Sequence, residues 1–285
     1  MKGVEIMGDI VENKLPKKVD EVFYHSFMSG LTNRLRAWMT NSAFAEYLDV
    51  PFIMKWRPDD ACGKAMFEEL FEIPDNMQYE TGRQYQPTEN TLWVRGNYPN
   101  NNFHSRFIEG NYELTKEEFQ VLVNDQRRHI RPLPEIQKQI DDNAHKLDIE
   151  NCIGMHIRRT DLKEQEKTPD WWFDQNIQKE LDENPNAKFF LATDNVWTEE
   201  KFMMKYADHM VKTERDFEEH PDHQTGEKYP GGHRHRHSPA SQALTDLMML
   251  SKVKRVYSCQ GSAFGRFGAW FGGKKLHIPN NDIGV

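Results

Sequence analysis

The second half of the chain alternates between short apolar runs, typical of strands, and longer segments whose apolar residues recur at helical spacing. This alternation predicts a doubly wound α/β sheet in which most strands are parallel. The predicted strands are Cys152–Arg158, Lys188–Thr193, His209–Thr213, Arg255–Cys259 and Lys275–Ile278. The predicted helices lie around Trp171–Leu181, Thr198–Tyr206, Ala240–Leu250 and Phe264–Phe271. Ligands of such sheets bind beyond the carboxyl ends of the strands, so polar residues at those ends are the first candidates for a site.

The first half contains a strand, a glycine turn, a helix and a second strand. The strands are predicted over Glu21–Phe27 and Pro51–Trp56, and the turn carries Gly30 with Thr32 or Asn33 as a possible helix cap. This order is typical of a βαβ unit with a helix N-terminus at the turn. A second Rossmann-like unit is therefore predicted here.

The stretch between these two regions predicts how the chain is divided. In the irregular segment that follows the second strand and runs to Glu113, the pattern predicts only one strand with clarity, Thr91–Arg95. The next segment, Thr115–Leu147, has helical spacing that is broken at Pro132 and Pro134. The helical stretch is interpreted as a connection between two domains. The predicted division is 1–114, a helical linker over 115–149, and 150–285.

Composition restricts the partners of the chain. With 285 residues, 37% hydrophobic and 29% charged, it is typical of a globular enzyme. The net charge of −8 argues against a general nucleic-acid binder, so an anionic ligand must be held by a local cluster of positive charge. The sequence has no apolar run of about 20 residues, no signal-peptide pattern and no CxxC pair among its three cysteines. These features predict a soluble, cytoplasmic protein without a transmembrane segment.

The most informative peptide is "HIRRTD", which follows directly from a predicted buried strand. It places His156, Arg158, Arg159 and Asp161 at a sheet edge. Two adjacent guanidinium groups repel each other unless an anion lies between them, and the planar fork of arginine matches a phosphate in two hydrogen bonds. A diphosphate has the right charge and size. The alternative is a surface ion pair between one arginine and Asp161.

Neighbouring strand residues point to opposite faces of a sheet. One arginine should therefore meet the ligand while the other packs inward against carboxylates. We predict that Arg159 meets the ligand and that Arg158 supports the scaffold.

Three further polar positions follow or adjoin predicted strands. Asp194 follows the strand "FFLAT" and is either a site residue or a cap of the next helix. Asp246 lies inside an apolar helix, where a carboxylate is costly unless it has a partner in the protein or in a ligand. Ser262 begins a helix after a Gly-Ser turn, a weak signal for a phosphate or ribose site when taken alone.

No metal site is predicted. The long polar loop over 215–239 contains alternating histidines, but it has neither a helical i,i+4 pair nor a cysteine partner for a metal. Its length alone suggests a functional role. Asp59 and Asp60 are interpreted as the end of a turn, and Trp171 and Trp172 as core residues.

Taken in order, these motifs resemble the fucosyltransferase superfamily. The closest likeness is to its α1,6-fucosyltransferase and nodulation fucosyltransferase branch. The matching peptides are "GLTNRLRAW", "HIRRTD", "FLATDN", the aspartate before "LS", and "GSAFGR". The resemblance implies a GT-B glycosyltransferase, in which two Rossmann-like domains face each other across a cleft and the second holds the nucleotide sugar. It adds Gly30 and Asn33, in the glycine turn, to the donor-binding candidates.

The resemblance also implies roles for individual residues. Arg159 would bind the β-phosphate, and Ser262 would contact a phosphate oxygen. Asp246 would read the guanine edge, His156 would contact the base or ribose, and Asp194 would support the sugar. Such enzymes use no metal, so the only small molecule implied is the donor, GDP-fucose, with a glycan or glycoprotein as acceptor.

Sugar transfer builds charge on the departing diphosphate, which Arg159 would stabilise, and needs a base for the acceptor hydroxyl. Glu166, at the spacing of the family's proposed base, is that candidate, although it also suits a solvated charge in "KEQEK". Asp161 completes the catalytic candidates.

The chain departs from the family at Leu162, where the α1,6 branch has a lysine, and at Asn195, where the family has a second acid. Another nucleotide sugar, such as a UDP- or GDP-pentose like xylose, is therefore an alternative donor. A noncatalytic nucleotide- or carbohydrate-binding protein of the same fold is the alternative from a different class. A sheet-based phosphatase or kinase ranks last because the chain has no P-loop.

Overall fold

A computed structural model of the chain describes residues 18–26, 29–59, 62–81, 85, 87–95, 103–159, 168–215, 239–279 and 281–283. The chain forms two compact units. The first takes 1–27, 36–56 and 74–126, and the second takes 28–35, 57–73 and 127–285. The predicted division at 114 and 149 stays a prediction.

The first unit is built on a four-stranded parallel sheet in the order β3-β2-β1-β4. Its elements are β1 (Glu21–His25), α1 (Leu31–Leu48, of which 36–48 belong to this unit), β2 (Phe52–Lys55), β3 (Met77–Tyr79), β4 (Thr91–Arg95), a π-helical turn (His104–Ile108) and α2 (Lys116–Asp125). Phe44 of α1 packs edge-on against Phe103 and Phe119, with ring centroids 5.5 and 6.4 Å apart. The βαβ unit predicted here is present, and β3 is an additional strand.

The second unit contains a six-stranded sheet in the order β10-β9-β8-β5-β6-β7, parallel except for β10. Its elements are α3 (Pro134–Lys146), β5 (Ile153–Ile157), α4 (Asp170–Glu183), β6 (Phe189–Thr193), α5 (Val196–Lys205), β7 (Met210–Val211), α6 (Ala240–Lys252), β8 (Arg255–Ser258), α7 (Ala263–Phe271), β9 (Lys275–Ile278) and β10 (Asn281–Ile283). The predicted alternation of strand and helix is confirmed in every element from β5 to β9.

Strands β5 and β6 are interior strands of this sheet, each paired on both sides, and all five residues of each are buried. Met155, Phe189 and Leu191 belong to one cluster with Phe173 of α4 and Tyr257 of β8. Burial on both faces explains why these strands read as continuous apolar runs rather than as alternating ones. The polar residues that follow them therefore stand at the sheet edge.

The predicted break in the helical stretch is confirmed. Thr115 caps α2, since its hydroxyl oxygen accepts a hydrogen bond from the backbone amide of Glu118. The Glu118 carboxylate in turn accepts a hydrogen bond from the backbone amide of Thr115. A short 3₁₀ turn, Gln126–His129, follows, and α3 begins at Pro134, where proline is tolerated because its missing N–H has no helical partner. None of the helices in the described ranges combines the length and the hydropathy that crossing a bilayer requires.

Candidate functional site

Three helices of the second unit begin at the edge where the central strands end. Helices α4, α5 and α7 follow β5, β6 and β8, which are parallel neighbours, so their N-termini share the carboxyl edge of the sheet. The Asn195 side chain caps α5 by accepting from the Thr198 amide at 2.8 Å, and Ser262 caps α7 by accepting from the Phe264 amide at 3.3 Å. Helix N-termini carry partial positive charge, which favours an anion at this edge.

Arg159 stands two residues beyond β5 and contacts the start of α4. Its Nη2 lies 2.5 Å from Oδ1 of Asp170, whose other oxygen lies 2.5 Å from Nζ of Lys201. Nη1 donates to the Arg158 carbonyl at 3.1 Å. Burial acts to raise the pKa of Asp170, but the hydrogen bonds from Lys201 and Arg159 outweigh it and hold that pKa below its ordinary value. Asp170 is thus an ionised carboxylate that orients Arg159.

Arg158 and Asp194 meet beside this pair. Oδ1 of Asp194 accepts from the Arg159 amide at 2.8 Å, and Oδ2 lies 3.8 Å from Nε of Arg158. The Arg158 side chain is 25% exposed and that of Arg159 is 17% exposed. Both guanidinium groups therefore contact carboxylates, and the shorter contact belongs to Arg159. The assignment of Arg159 to the ligand and of Arg158 to the scaffold stays a prediction.

Cys259, just after β8, lies beneath the arginines. Its sulfur accepts from the Arg158 amide at 3.3 Å and lies 3.8 Å from Nη1 of Arg159. Burial raises the pKa of this thiol, so it is neutral at physiological pH. It acts as a buried polar neighbour of the arginines rather than as a nucleophile.

His156 points to the side of the sheet covered by α7. It is buried, its Nδ1 lies 3.0 Å from Oγ of Ser258, and its ring stacks on Phe264 with centroids 5.2 Å apart. Gly265 allows this close approach of helix and strand, because a Cβ there would lie 2.2 Å from the Ser258 oxygen and 2.9 Å from Nδ1 of His156. The packing of α7 therefore fixes the position of His156.

Asp246 has partners inside the protein, one of the two outcomes that its position in an apolar helix predicts. It is buried, its Oδ1 accepts from the Thr213 hydroxyl at 2.6 Å, and its Oδ2 lies 3.1 Å from Nε of Arg215. Burial raises the pKa of Asp246, while Arg215 and Thr213 act in the opposite direction. The guanine contact implied for Asp246 stays a prediction.

Arg215 also explains why β7 is shorter than predicted. The sequence predicts a strand over His209–Thr213, but β7 covers only two residues, which pair with Phe189 and Phe190. Beyond them the carbonyls of Leu191 and Thr193 accept from Nη2 and Nη1 of Arg215, at 2.5 and 2.6 Å. A buried side chain thus supplies donors that a longer β7 would otherwise provide.

The glycine turn before α1 is held by an arginine that the sequence interpretation did not single out. The carbonyl of Gly30 accepts from the amides of Asn33 and Arg34. Arg34 is fully buried and pairs through Nη2 with Asp59 at 2.5 Å, while its Nε donates to the Ser29 carbonyl at 2.7 Å. Asp59 therefore anchors this turn, and the donor role of Gly30 and Asn33 stays a prediction.

Some predicted positions lie outside the described residues. They are Asp60, Asp161, Leu162, Glu166 and the part of the histidine loop over 216–238. Within the part of the chain that the structure describes, no three His, Cys, Asp or Glu side chains converge as a metal site would require.

The sequence interpretation missed Asp170, Ser258 and Arg215 as members of this edge. Asp170 follows Pro169 at the start of a helix, where acidic residues are common. That local pattern gives no information about which side chain Asp170 contacts. Arg215 lies two residues after the predicted strand His209–Thr213, and its charge made it a candidate partner for the buried Asp246. Only the packing of distant segments brings these groups together.

No protein-family model and no curated protein matches the chain by sequence. Solved structures do match it. The fucosyltransferase NodZ from Bradyrhizobium is 15% identical, with a TM-score of 0.55 over 93% of this chain and 97% of that one. NodZ has also been solved after soaking with GDP-fucose, and that structure matches with a TM-score of 0.57.

Two further matches come from other fucosyltransferases. A mutant of Arabidopsis thaliana FUT1 in complex with GDP is 13% identical, with a TM-score of 0.54 over 95% of this chain and 74% of that one. POFUT1 in complex with GDP is 9% identical, with a TM-score of 0.55 over 93% of this chain and 99% of that one. The two sheets, parallel except for β10, form a mixed α/β protein whose fold matches these GT-B structures. More narrowly, the fold is similar to that of the solved fucosyltransferases NodZ, FUT1 and POFUT1.

Proposed function

We propose that this protein is a metal-independent, inverting glycosyltransferase that transfers fucose from GDP-fucose to a hydroxyl of a glycan. The observation that carries this proposal is the position of Arg158 and Arg159 directly after β5, at the edge where three helices begin. Three cations, Arg158, Arg159 and Lys201, stand at that edge against the two carboxylates of Asp170 and Asp194, and the helix N-termini add partial positive charge. The fold likeness to fucosyltransferases solved with GDP or GDP-fucose gives further support.

In this proposal Arg159 holds the β-phosphate. A guanidinium group has five N–H donors, and among the described residues that of Arg159 makes three contacts, to Asp170, the Arg158 carbonyl and Cys259. Donors therefore remain for phosphate oxygens while Asp170 keeps the side chain oriented. Ser262, at the start of α7, would contact a second phosphate oxygen.

The nucleoside would lie towards His156 and Asp246. A carboxylate has about four lone-pair sites, and Asp246 uses one to accept from Thr213 while Arg215 contacts it as an ion pair, so sites remain for a guanine N–H. Asp194, which already fixes the Arg159 amide, would support the sugar end of the donor. The domain that binds the donor is proposed to span 150–285, with the acceptor side in 1–114.

In the reaction, the acceptor oxygen attacks the anomeric carbon as the bond from that carbon to the diphosphate breaks. Arg159 and the helix N-termini stabilise the charge that develops on the leaving group. Glu166 takes the proton of the acceptor hydroxyl, and attack from the face opposite the leaving group inverts the anomeric centre. Asp161, the last residue of the "HIRRTD" motif, is proposed to belong to the same catalytic group.

A different donor sugar is the second candidate. The departures at Leu162 and Asn195 favour it, and Asn195 is here committed to capping α5 rather than to a ligand. The same site would then hold a UDP- or GDP-pentose.

The test is a donor screen by mass spectrometry across GDP- and UDP-sugars, with calorimetry of GDP and UDP. We expect GDP to bind more tightly than UDP and GDP-fucose to release GDP, with no loss of turnover when EDTA is added. Glu166→Gln should lower turnover by roughly 10²–10⁴-fold and leave GDP affinity unchanged. Failure to bind any guanine nucleotide would contradict the proposal. Equal turnover by Glu166→Gln would remove the base assignment.

A further inference from the structure

Two ion pairs join α4 to α5, one helical turn apart. Nζ of Lys201 lies 2.5 Å from Oδ2 of Asp170, and Nζ of Lys205 lies 2.8 Å from Oδ2 of Asp174. The lysine side chains are 56% and 50% exposed, and those of the aspartates are 31% and 27% exposed. The two pairs are thus alike in chemistry and in exposure. They differ in what else each carboxylate contacts.

The second oxygen of each carboxylate has a different partner. Oδ1 of Asp170 lies 2.5 Å from Nη2 of Arg159, the arginine proposed to hold the β-phosphate. Oδ1 of Asp174 accepts from the Tyr206 hydroxyl at 2.7 Å, so its contacts stay between α4 and the end of α5. Of the two pairs, the one that Lys201 forms is therefore the one connected to the candidate donor site.

The first turn of α4 is fixed by packing. Trp172, two residues after Asp170, packs against Phe173 and Tyr257, with ring centroids 5.0 and 5.9 Å away. Trp171 is 58% exposed, so the prediction that both tryptophans are core residues was wrong for Trp171. Asp170 therefore stands on a helical turn that the core holds in place.

The contacts of Asp170 decide how many donors of Arg159 a ligand can use. A carboxylate can accept from two N–H groups of one arginine at once, and such a bidentate pair would occupy two donors. Lys201 engages Oδ2 of Asp170, so the carboxylate meets Arg159 through Oδ1. Nη1 of Arg159 contacts the Arg158 carbonyl and the Cys259 sulfur. Among the described residues, these contacts leave Nε and the second N–H of Nη2 for a ligand.

Lys201 also changes the charge of this group. Arg159 and Asp170 neutralise each other, whereas Lys201 adds a second cation and leaves the three side chains with a net positive charge, which favours a diphosphate. Burial acts to raise the pKa of Asp170, and the hydrogen bond from Lys201 is the largest of the effects that lower it. Lys201 thus helps to keep the carboxylate that orients Arg159 ionised.

We propose that Lys201 is a positioning residue of the donor site. By engaging one oxygen of Asp170, it limits that carboxylate to a single hydrogen bond with Arg159, so that two guanidinium donors stay directed at the diphosphate. Lys201 acts through Asp170 and does not itself contact the ligand. The inference rests on the proposed function, because it concerns how Arg159 is presented to the donor.

The experiment is calorimetry of GDP and of inorganic pyrophosphate on the whole chain and its variants. Lys201→Met should weaken the binding of both ligands roughly 3- to 10-fold, because Asp170 can then take a second donor of Arg159. Lys201→Arg should retain most of the affinity, since the contact with Asp170 is kept.

Lys205→Met is the matched control, because it removes the ion pair of the same kind one turn further along the same two helices. It should change the affinity by less than about 2-fold. Urea denaturation should show a similar small loss of stability in both methionine variants. Equal affinities of Lys201→Met and Lys205→Met for pyrophosphate and GDP would overturn the inference.

A double variant separates positioning from direct contact. In an Asp170→Asn background, Lys201→Met should have little effect on affinity, because the carboxylate through which Lys201 acts is gone. An equal loss in both backgrounds would show that Lys201 acts on the anion directly, and it would overturn the positioning role. If the wild-type chain binds pyrophosphate but no nucleotide, the proposed function fails and the pyrophosphate titrations judge Lys201. Binding of neither overturns both.

Discussion

Two arginine–carboxylate clusters lie near the carboxyl edge of the same sheet, and they differ in exposure. In the cluster of Arg215 and Asp246 the arginine side chain is 1% exposed, and its donors also meet two backbone carbonyls. In the cluster of Arg159 and Asp170 the side chains are 17% and 31% exposed. The same residue types thus occupy two different environments.

This difference separates a structural role from a binding role. Burying two charges costs several kcal/mol per ion unless hydrogen bonds satisfy them, so a buried cluster is stable only while every partner stays in place. A partly exposed pair is screened by water and contributes about 0–1 kcal/mol, so it can share its donors with a ligand at little cost. We therefore expect the Arg215 cluster to hold the fold and the Arg159 cluster to bind the anion.

The largest expected effect is on stability, in Arg215→Met. The substitution removes the cation that pairs with the buried carboxylates of Asp246 and Glu199, and it removes the donors to the carbonyls of Leu191 and Thr193, so the free energy of unfolding should fall by about 3–5 kcal/mol. Urea denaturation measures the loss. Arg215→Met combined with Asp246→Leu should recover part of it, because the Asp246 carboxylate is gone and Glu199 keeps its pair with Lys212.

Lys138→Met serves as the control for that experiment. Lys138 forms an exposed pair with Asp142 one helical turn away, at 2.5 Å, and its loss should cost about 0.5 kcal/mol or less. If Arg215→Met were no more destabilising than this control, the distinction between the two clusters would fail.

The next effect is on binding, in Arg159→Met. Loss of a charged hydrogen bond should weaken GDP affinity by about 1.5–3 kcal/mol, which is roughly 10- to 150-fold. The free energy of unfolding should change by about 1 kcal/mol or less, since the pair is partly exposed. Calorimetry on Arg158→Met in parallel decides which arginine contributes more to the binding free energy of GDP. Unchanged GDP affinity in both variants would contradict the proposed anion site.

The smallest effect is a pair of opposite pH dependences. The pKa of Asp170 is lowered, so its contribution to stability is present above its ordinary value of 3.8 and is lost as pH falls through the folded value. The pKa of Asp246 is raised, so its titration contributes stability at low pH that is lost as pH rises through the folded value.

Urea denaturation between about pH 3 and pH 6 tests this contrast. The stability difference between wild type and Asp170→Asn should increase with pH, by about 0.5–1 kcal/mol after solvent screening. The difference for Asp246→Asn should change in the opposite direction. Slopes of the same sign would show that the two carboxylates share one environment.

Part of this edge could be predicted because the signals are local. Burial on both faces makes β5 and β6 continuous apolar runs, so their ends, and with them Arg158, Arg159 and Asp194, were placed correctly at the sheet edge. The three-residue strand β3 was missed because so short a segment has no measurable period. The contacts of Arg159 with Asp170 and of Arg215 with Asp246 were missed because they join separate elements.

The order of residues determined the parallel sheet, the helices that follow each strand and the charged peptide after β5, since apolar periodicity and turn residues act over a few neighbours. Packing alone decided which carboxylate meets which arginine, and which of Trp171 and Trp172 enters the core. Those outcomes depend on side-chain directions and on distances between segments far apart in the chain, where a shift of a few ångströms separates an ion pair from a solvated charge.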